Sequence, residues 1–256
     1  MSRGVTEGSM RRWFLFAMLG GVLILGRAQG QGIEANSCVN CHQETTGNQK
    51  VDRNYYQWKD SWHAARKVTC DKCHGGKPTE QKAAAAHSGM LEMEGKKTPS
   101  YYLKMDERCG QCHTGEYADF STSSHYKFLQ QGRGPSCITC HHPKTGHTFT
   151  VKEIVTSCVD CHNETLKGYE HIPQVARLLL ESLHQAEFTV GCMREFVSLK
   201  EDVKQKAWVR SKLVGAEMEL ANAKKQWHRF NLNNTEAHIF QAFSLTREAK
   251  ALCVAK

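Results

Sequence analysis

Apolar residues are spread along this chain in three different ways, and each predicts a different kind of element. Near the N-terminus they form one unbroken run, Trp13 to Gly26, directly after Arg11 and Arg12. A membrane-spanning helix needs roughly 18 or more apolar residues, and this run is shorter. Basic residues before it and the small residues of "GRAQGQG" after it give the layout of an export signal, cleaved after Ala28 or Gly30. From about 29 to 171 no period is sustained. "GKP", "KKTPS", "GRGPS" and "HPKTG" cut the chain into short pieces, which predicts short helices, long loops and little sheet. From Ile172 onward the pattern changes again. After Pro173 there is no further proline, and only Gly191 and Gly215 interrupt a sequence rich in Leu, Ala, Glu, Lys and Arg. Val203, Ala207, Val214, Met218 and Ala221 recur at helical spacing and predict one apolar stripe. Three helices are expected, roughly 174–199, 202–230 and 235–252, with Asn234 as N-cap of the last. The fold class is mainly α. The expected divisions are a signal peptide at 1–28, a central region at 29–171 and a C-terminal helical region at 172–256 that serves packing or oligomerisation.

Cysteine changes this picture most. Ten of the twelve cysteines fall into C-x-x-C pairs, and each pair is followed at once by histidine. The five copies are Cys38–Cys41 with His42, Cys70–Cys73 with His74, Cys109–Cys112 with His113, Cys137–Cys140 with His141, and Cys158–Cys161 with His162. C-x-x-C-H is the attachment signature of c-type haem. Two thiols three positions apart can form thioethers with the two vinyl groups of one porphyrin, and the next residue brings an imidazole to the iron. A zinc site needs four ligands, so it usually takes two such pairs. Five pairs is an odd number, and zinc gives no reason for the repeated histidine. The sequence therefore predicts five covalently bound haem c groups. With about 25 residues between successive motifs, the porphyrins themselves must supply much of the buried apolar surface.

Nine histidines lie outside the motifs. The sixth ligand decides what a haem iron does: a second histidine closes it for electron transfer, whereas an open position permits catalysis. His63, His87, His125, His147 and His171 are candidate distal ligands; His63 and His125 have aromatic neighbours suited to a porphyrin edge. His142 directly follows a proximal ligand and stays open between a ligand to a neighbouring haem and a group facing an open iron. His184 and His228 fall in expected helices and read as structural. His238 could project back from the last helix onto a haem. Cys192 and Cys253, outside the pairs, could form a disulfide if their helices meet.

Net charge is +8, but residues 1–28 hold Arg3, Arg11, Arg12 and Arg27 against Glu7, so without them it is about +5. There is no basic aromatic module of the nucleic-acid type, and no nucleic-acid partner is expected.

The five motifs, together with "WKDSWHAARKVTCDKCHG" and "ERCGQCH" followed by "SSHY", resemble the multihaem cytochromes c of nitrogen metabolism. That group includes cytochrome c nitrite reductase, hydroxylamine oxidoreductase and smaller electron-carrying relatives. The likeness covers residues 38–165 and extends weakly to "FNLNNTEAHIFQAF". It implies a multihaem cytochrome c fold with little regular structure around stacked haems, and makes His63, His125, His147 and His238 distal-ligand candidates. The C-x-x-C-K attachment of the usual nitrite reductase is absent from this sequence. Two functions follow. One is an exported, periplasmic pentahaem carrier in an anaerobic or nitrogen-cycle respiratory chain. Its partners would be a quinol-linked donor and a terminal reductase or extracellular acceptor. The other is a small oxidoreductase acting on nitrite, hydroxylamine or a sulfur oxyanion at one open haem, with His87, His142 or Lys144 nearby. Membrane association is expected only if residues 1–28 are retained. A homo-oligomer through the C-terminal helices is also expected.

Overall fold

The computed structural model describes residues 35–43, 49–91, 98–141, 150–199 and 205–254. All of these belong to one unit, Gly32–Lys256. The expected signal segment, together with His142, Lys144 and His147, lies outside the described residues. Among the described residues no strand occurs, and no helix is long and apolar enough to cross a membrane.

Ten short helices precede three long ones. The short ones are α1 (Ser37–His42), α2 (Gln49–Lys59), α3 (Trp62–Ala65), α4 (Cys70–His74), α5 (Ala83–Ala86), α6 (Pro99–Gly110), α7 (Thr114–Ser121), α8 (Ser124–Gln130), α9 (Cys137–Cys140) and α10 (Val151–Val159). Most begin at a polar cap. Asn36 accepts the N–H groups of Cys38 and Val39, Ser61 that of Ala64, Thr98 that of Tyr101, and Ser123 that of Tyr126. Thr150 and Glu153 cap α10 reciprocally. Each cap satisfies N–H groups that a helix start otherwise leaves bare, worth about 1 kcal/mol. In pieces this short, caps rather than length must hold the helices.

The long helices are α11 (Ile172–Leu199), α12 (Lys206–His228) and α13 (Leu232–Val254), close to the expected ranges. They form a three-helix bundle with two linked cores. Leu179, Leu183, Ala186, Val190, Ala216, Leu220, Ala223, Ile239 and Ala242 make one; Val197, Val209, Leu213 and Ala249 make the other.

The expected stripe on α12 has the wrong phase. Val214 and Met218 are 54% and 62% exposed, whereas Val209, Leu213, Ala216, Leu220 and Ala223 are buried. The buried set steps by four and three residues alternately, the spacing that keeps one helix face on its neighbours. Ala216 and Ala223 are small enough to let α13 approach closely. The cap of α13 also differs from expectation. Asn231, not Asn234, plays that part: its side-chain oxygen accepts the Asn234 N–H at 3.1 Å. Cys192 and Cys253 are unbonded thiols on the walls of one groove between α11 and α13.

Candidate haem sites along the chain

Each C-x-x-C-H motif begins in a helix: α1 and α4 contain the first and second, α9 holds the fourth up to its C-cap His141, and the third and fifth run past the ends of α6 and α10. Buried polar groups lock the turns to each other. Asn36 Nδ2 donates to Asp71 Oδ1 at 2.8 Å, and Thr69 Oγ1 donates to the same oxygen at 2.6 Å. The cap of the first motif is thereby tied to the second. Asp106, fully buried on α6 one turn before Cys109, accepts the Cys137 N–H at 3.0 Å and ties the third motif to the fourth.

The thiols report the same succession. Burial pushes Cys70 up to about 11, with the neighbouring Cys38 the next cause. Cys73 is raised by burial and then by Cys109. Cys137 is raised chiefly because its thiol donates to Cys109. Cys140 is pushed up to about 11 by burial and then by Cys158. Neighbouring motifs thus approach one another in chain order, first to second, second to third, third to fourth and fourth to fifth. Thioether formation would remove these titrations but not the order.

Histidine rings supply the second part of the arrangement. A coordinated imidazole nitrogen lies about 2 Å from its metal, so two rings facing each other across one ion have centroids roughly 6 Å apart. His42 and His87 are 6.1 Å apart, His63 and His113 6.2 Å, His125 and His162 5.9 Å, and His141 and His228 6.4 Å. Each pair joins one motif histidine to one outside the motifs. Interplanar angles are 47°, 90°, 60° and 9° in the same order.

Local sequence explains how the outside histidines arrive. Gly75, with φ 77°, follows the second motif, and a Cβ there would stand 2.8 Å from the Gly89 carbonyl oxygen. That close approach lets the chain return: Leu91 N–H donates to His74 O and Lys77 N–H to Ala86 O. Ser37 N–H donates to Pro78 O at 2.7 Å, so the returning segment delivers His87 to His42. His63 sits in α3, which ends in left-handed Lys67 (φ 60°) with Val68 N–H bonded back to His63 O. His125 lies at the start of α8. Gly134 packs so tightly on that turn that a Cβ would meet His125 O and Leu129 N at 2.3 Å.

Electrostatics favours the form a metal requires at three of these rings. Burial first, and His162 second, pull His125 down to about 4. Burial also lowers His162. Part of His141 faces solvent, yet its protein surroundings desolvate the ring enough to lower it, with His228 and His113 adding to the effect. Neutral imidazole is the ligating species. The Nδ1 atoms of His125 and His162 are buried with no hydrogen-bond partner. Such atoms are costly in protein alone, by about 1–3 kcal/mol each. Among the described residues no three His, Cys, Asp or Glu side chains converge as ligands of a bare ion must. Paired rings, adjacent thiol pairs and uncharged imidazoles fit covalent haem.

A family model described as cytochrome c7 and related cytochrome c matches residues 56–142. One described as cytochrome c554 and c-prime matches residues 26–75. These matches support a multihaem c-type cytochrome. No curated protein and no solved structure matches the chain. With the cytochrome families come covalently bound haem c and haem-based electron transfer.

The remaining expected site residues fall differently. His74 is half-buried at the end of α4 and lies outside the four ring pairs. His171 is exposed, beside the His125–His162 pair, close enough to contribute to lowering His162. His238 makes a different contact. Its Nδ1 is 2.6 Å from Glu219 Oε2, an ion-pair geometry between α13 and α12. His228, read from sequence as structural, is the residue that stands opposite His141. A signal was present: the Trp-His dipeptide of Trp62–His63 recurs as Trp227–His228.

Proposed function

We propose that this chain is an exported pentahaem electron-transfer protein whose haems form a relay in the order of their motifs. The observation that carries the reading is the set of four histidine pairs whose ring centroids lie 5.9–6.4 Å apart, the spacing of two imidazoles across one ion. A second histidine on the far side of an iron closes it to substrate and suits it to electron transfer. Haem c, once attached, supplies an iron that takes up and gives back one electron.

The protein's own residues do the rest. Cys38, Cys41, Cys70, Cys73, Cys109, Cys112, Cys137, Cys140, Cys158 and Cys161 would hold the porphyrins. His42, His74, His113, His141 and His162 would be the proximal ligands. His87, His63 and His125 would face the first, third and fifth of these. Asp71 and Asp106 hold successive attachment turns together. Partial burial favours the neutral imidazole at His125, His141 and His162. A periplasmic setting, with a quinol-linked donor and a terminal reductase or extracellular acceptor as partners, belongs to the same reading.

Titration of the reduced protein with carbon monoxide tests it, alongside a haem count. The relay reading expects five haems per chain and no binding of carbon monoxide. About one equivalent bound, together with turnover of nitrite, hydroxylamine or a sulfur oxyanion, would replace it with the oxidoreductase reading.

A further inference from the structure

The corner between α12 and α13 presses three consecutive side chains onto the haem region, and each makes a separate contact. The His228 ring lies 6.4 Å from the His141 ring and within 9° of parallel. Its Nδ1 is 2.9 Å from the Lys224 carbonyl oxygen, one turn back in its own helix. A carbonyl can only accept, so Nδ1 carries the proton and Nε2 is left bare, the arrangement found in metal-ligating histidines. Arg229 places Nε and Nη2 each 2.9 Å from Asp119 Oδ1 on α7. Asp119 is buried, so this charge pair is more shielded than a surface one. Phe230 follows in a left-handed backbone, φ 56°, that a phenylalanine rarely adopts. Its ring is 3.9 Å from that of His125 and 6.2 Å from that of Phe120.

None of these three side chains belongs to the cores that hold the bundle together. The corner is built for what it meets outside the bundle. We propose that His228 is the sixth ligand of the iron carried by the Cys137–His141 motif, and that Arg229 is the positioning residue that seats it through Asp119. The inference rests on the haem reading above and extends it: the C-terminal bundle is a ligand-bearing arm, and its docking and the closure of the fourth iron are one event. Phe230 packs on the imidazole facing the fifth motif, so the same corner touches the surroundings of two irons.

The test uses full-length, haem-loaded protein, with covalent haem counted in every variant. In H228A the oxidised protein is expected to gain one high-spin haem, and the reduced protein to bind about one equivalent of carbon monoxide. Free imidazole should return that haem to low spin, which a general unfolding would not allow. In R229A partial carbon monoxide binding is expected, with R229K closer to wild type. Should H228A not accumulate, H228M keeps the bulk and offers a thioether, and one haem should shift to higher potential. A wild-type spectrum in H228A at full haem content, or unchanged potentials in H228M, would overturn the ligand. R229A indistinguishable from wild type in carbon monoxide binding would overturn the positioning role. Wild-type protein without covalent haem would overturn the underlying reading, and this inference with it.

Discussion

The region before His171 and the helical bundle after it keep water out by different means. Fifteen buried apolar side chains lie on the three long helices, against five (Val39, Ala64, Met105, Phe120 and Leu129) in the described residues of the longer haem region. Buried polar residues run the other way. Asn36, Ser37, Ser61, Thr69, Asp71, Asp106, Asp119, Ser123 and Ser136 belong to the haem region, and only Thr235 and Thr246 to the bundle. The bundle is an ordinary hydrophobic core, whose leucines each contribute about 1.5–3 kcal/mol when fully buried. The haem region is a set of capped turns whose missing apolar surface the porphyrins would supply. One region therefore owes its stability to side chains, whereas the other would owe it to attached haem.

The largest expected effect comes from withholding haem. Chain produced without covalent haem should lose protection from protease across residues 35–171 while the long helices keep most of their helical circular dichroism. Equal protection of both regions would break the comparison. Next comes Leu220→Ala. It should destabilise the bundle by about 2–5 kcal/mol, read by chemical denaturation, and leave the haem absorbance of the native state unchanged. A single distal substitution in the haem region should behave in the opposite way. His125→Ala should convert one haem to high spin, visible in the oxidised absorption spectrum, with little change in the circular dichroism of the long helices.

The smallest expected effect concerns Asp106. Burial raises its carboxyl to about 6, above its unfolded value, against the opposing pull of the Cys137 N–H. A raised carboxylate favours folding below its unfolded value, near pH 4, and that contribution is lost as pH rises through about 6. Asp106→Asn keeps an acceptor for Cys137 and never ionises. It should flatten the melting temperature between pH 4 and 6 and stabilise the protein by about 1–2 kcal/mol at pH 7. An unchanged pH profile would mean that Asp106 is not the titrating group.

Much of this was legible in the sequence, for identifiable reasons. The attachment motifs are local, so eleven letters such as "CITCHHPKTGH" nominate two candidate anchors and a candidate proximal histidine without any knowledge of the fold. The long helices announced themselves by length and by the absence of proline. What was not legible depends on packing. The α12 stripe was misphased because Val214 and Met218 are as apolar as the buried Leu213 and Leu220, and only α11 and α13 decide which face is covered. Asn234 lost its expected role because the helix starts earlier, at Leu232, and Asn231 caps it by accepting the Asn234 N–H. Pairing of distal histidines to motifs is a property of chain return: His63 faces His113 rather than the His74 that follows it more closely in sequence. His228 comes beside a motif histidine for the same reason: the end of α12 carries it to His141, while His238 meets Glu219 on α12.

The central claim is that these facing imidazoles are bis-histidine irons. Electron paramagnetic resonance of the fully oxidised protein, with spins quantified against the haem count, addresses it most directly. Near-parallel ring planes, as in His141–His228, leave two iron d orbitals well separated in energy, whereas perpendicular planes, as in His63–His113, bring them together. The account predicts low-spin signals for at least the four paired irons, with a rhombic and a strongly anisotropic class both present. Two or more high-spin irons per chain would contradict it.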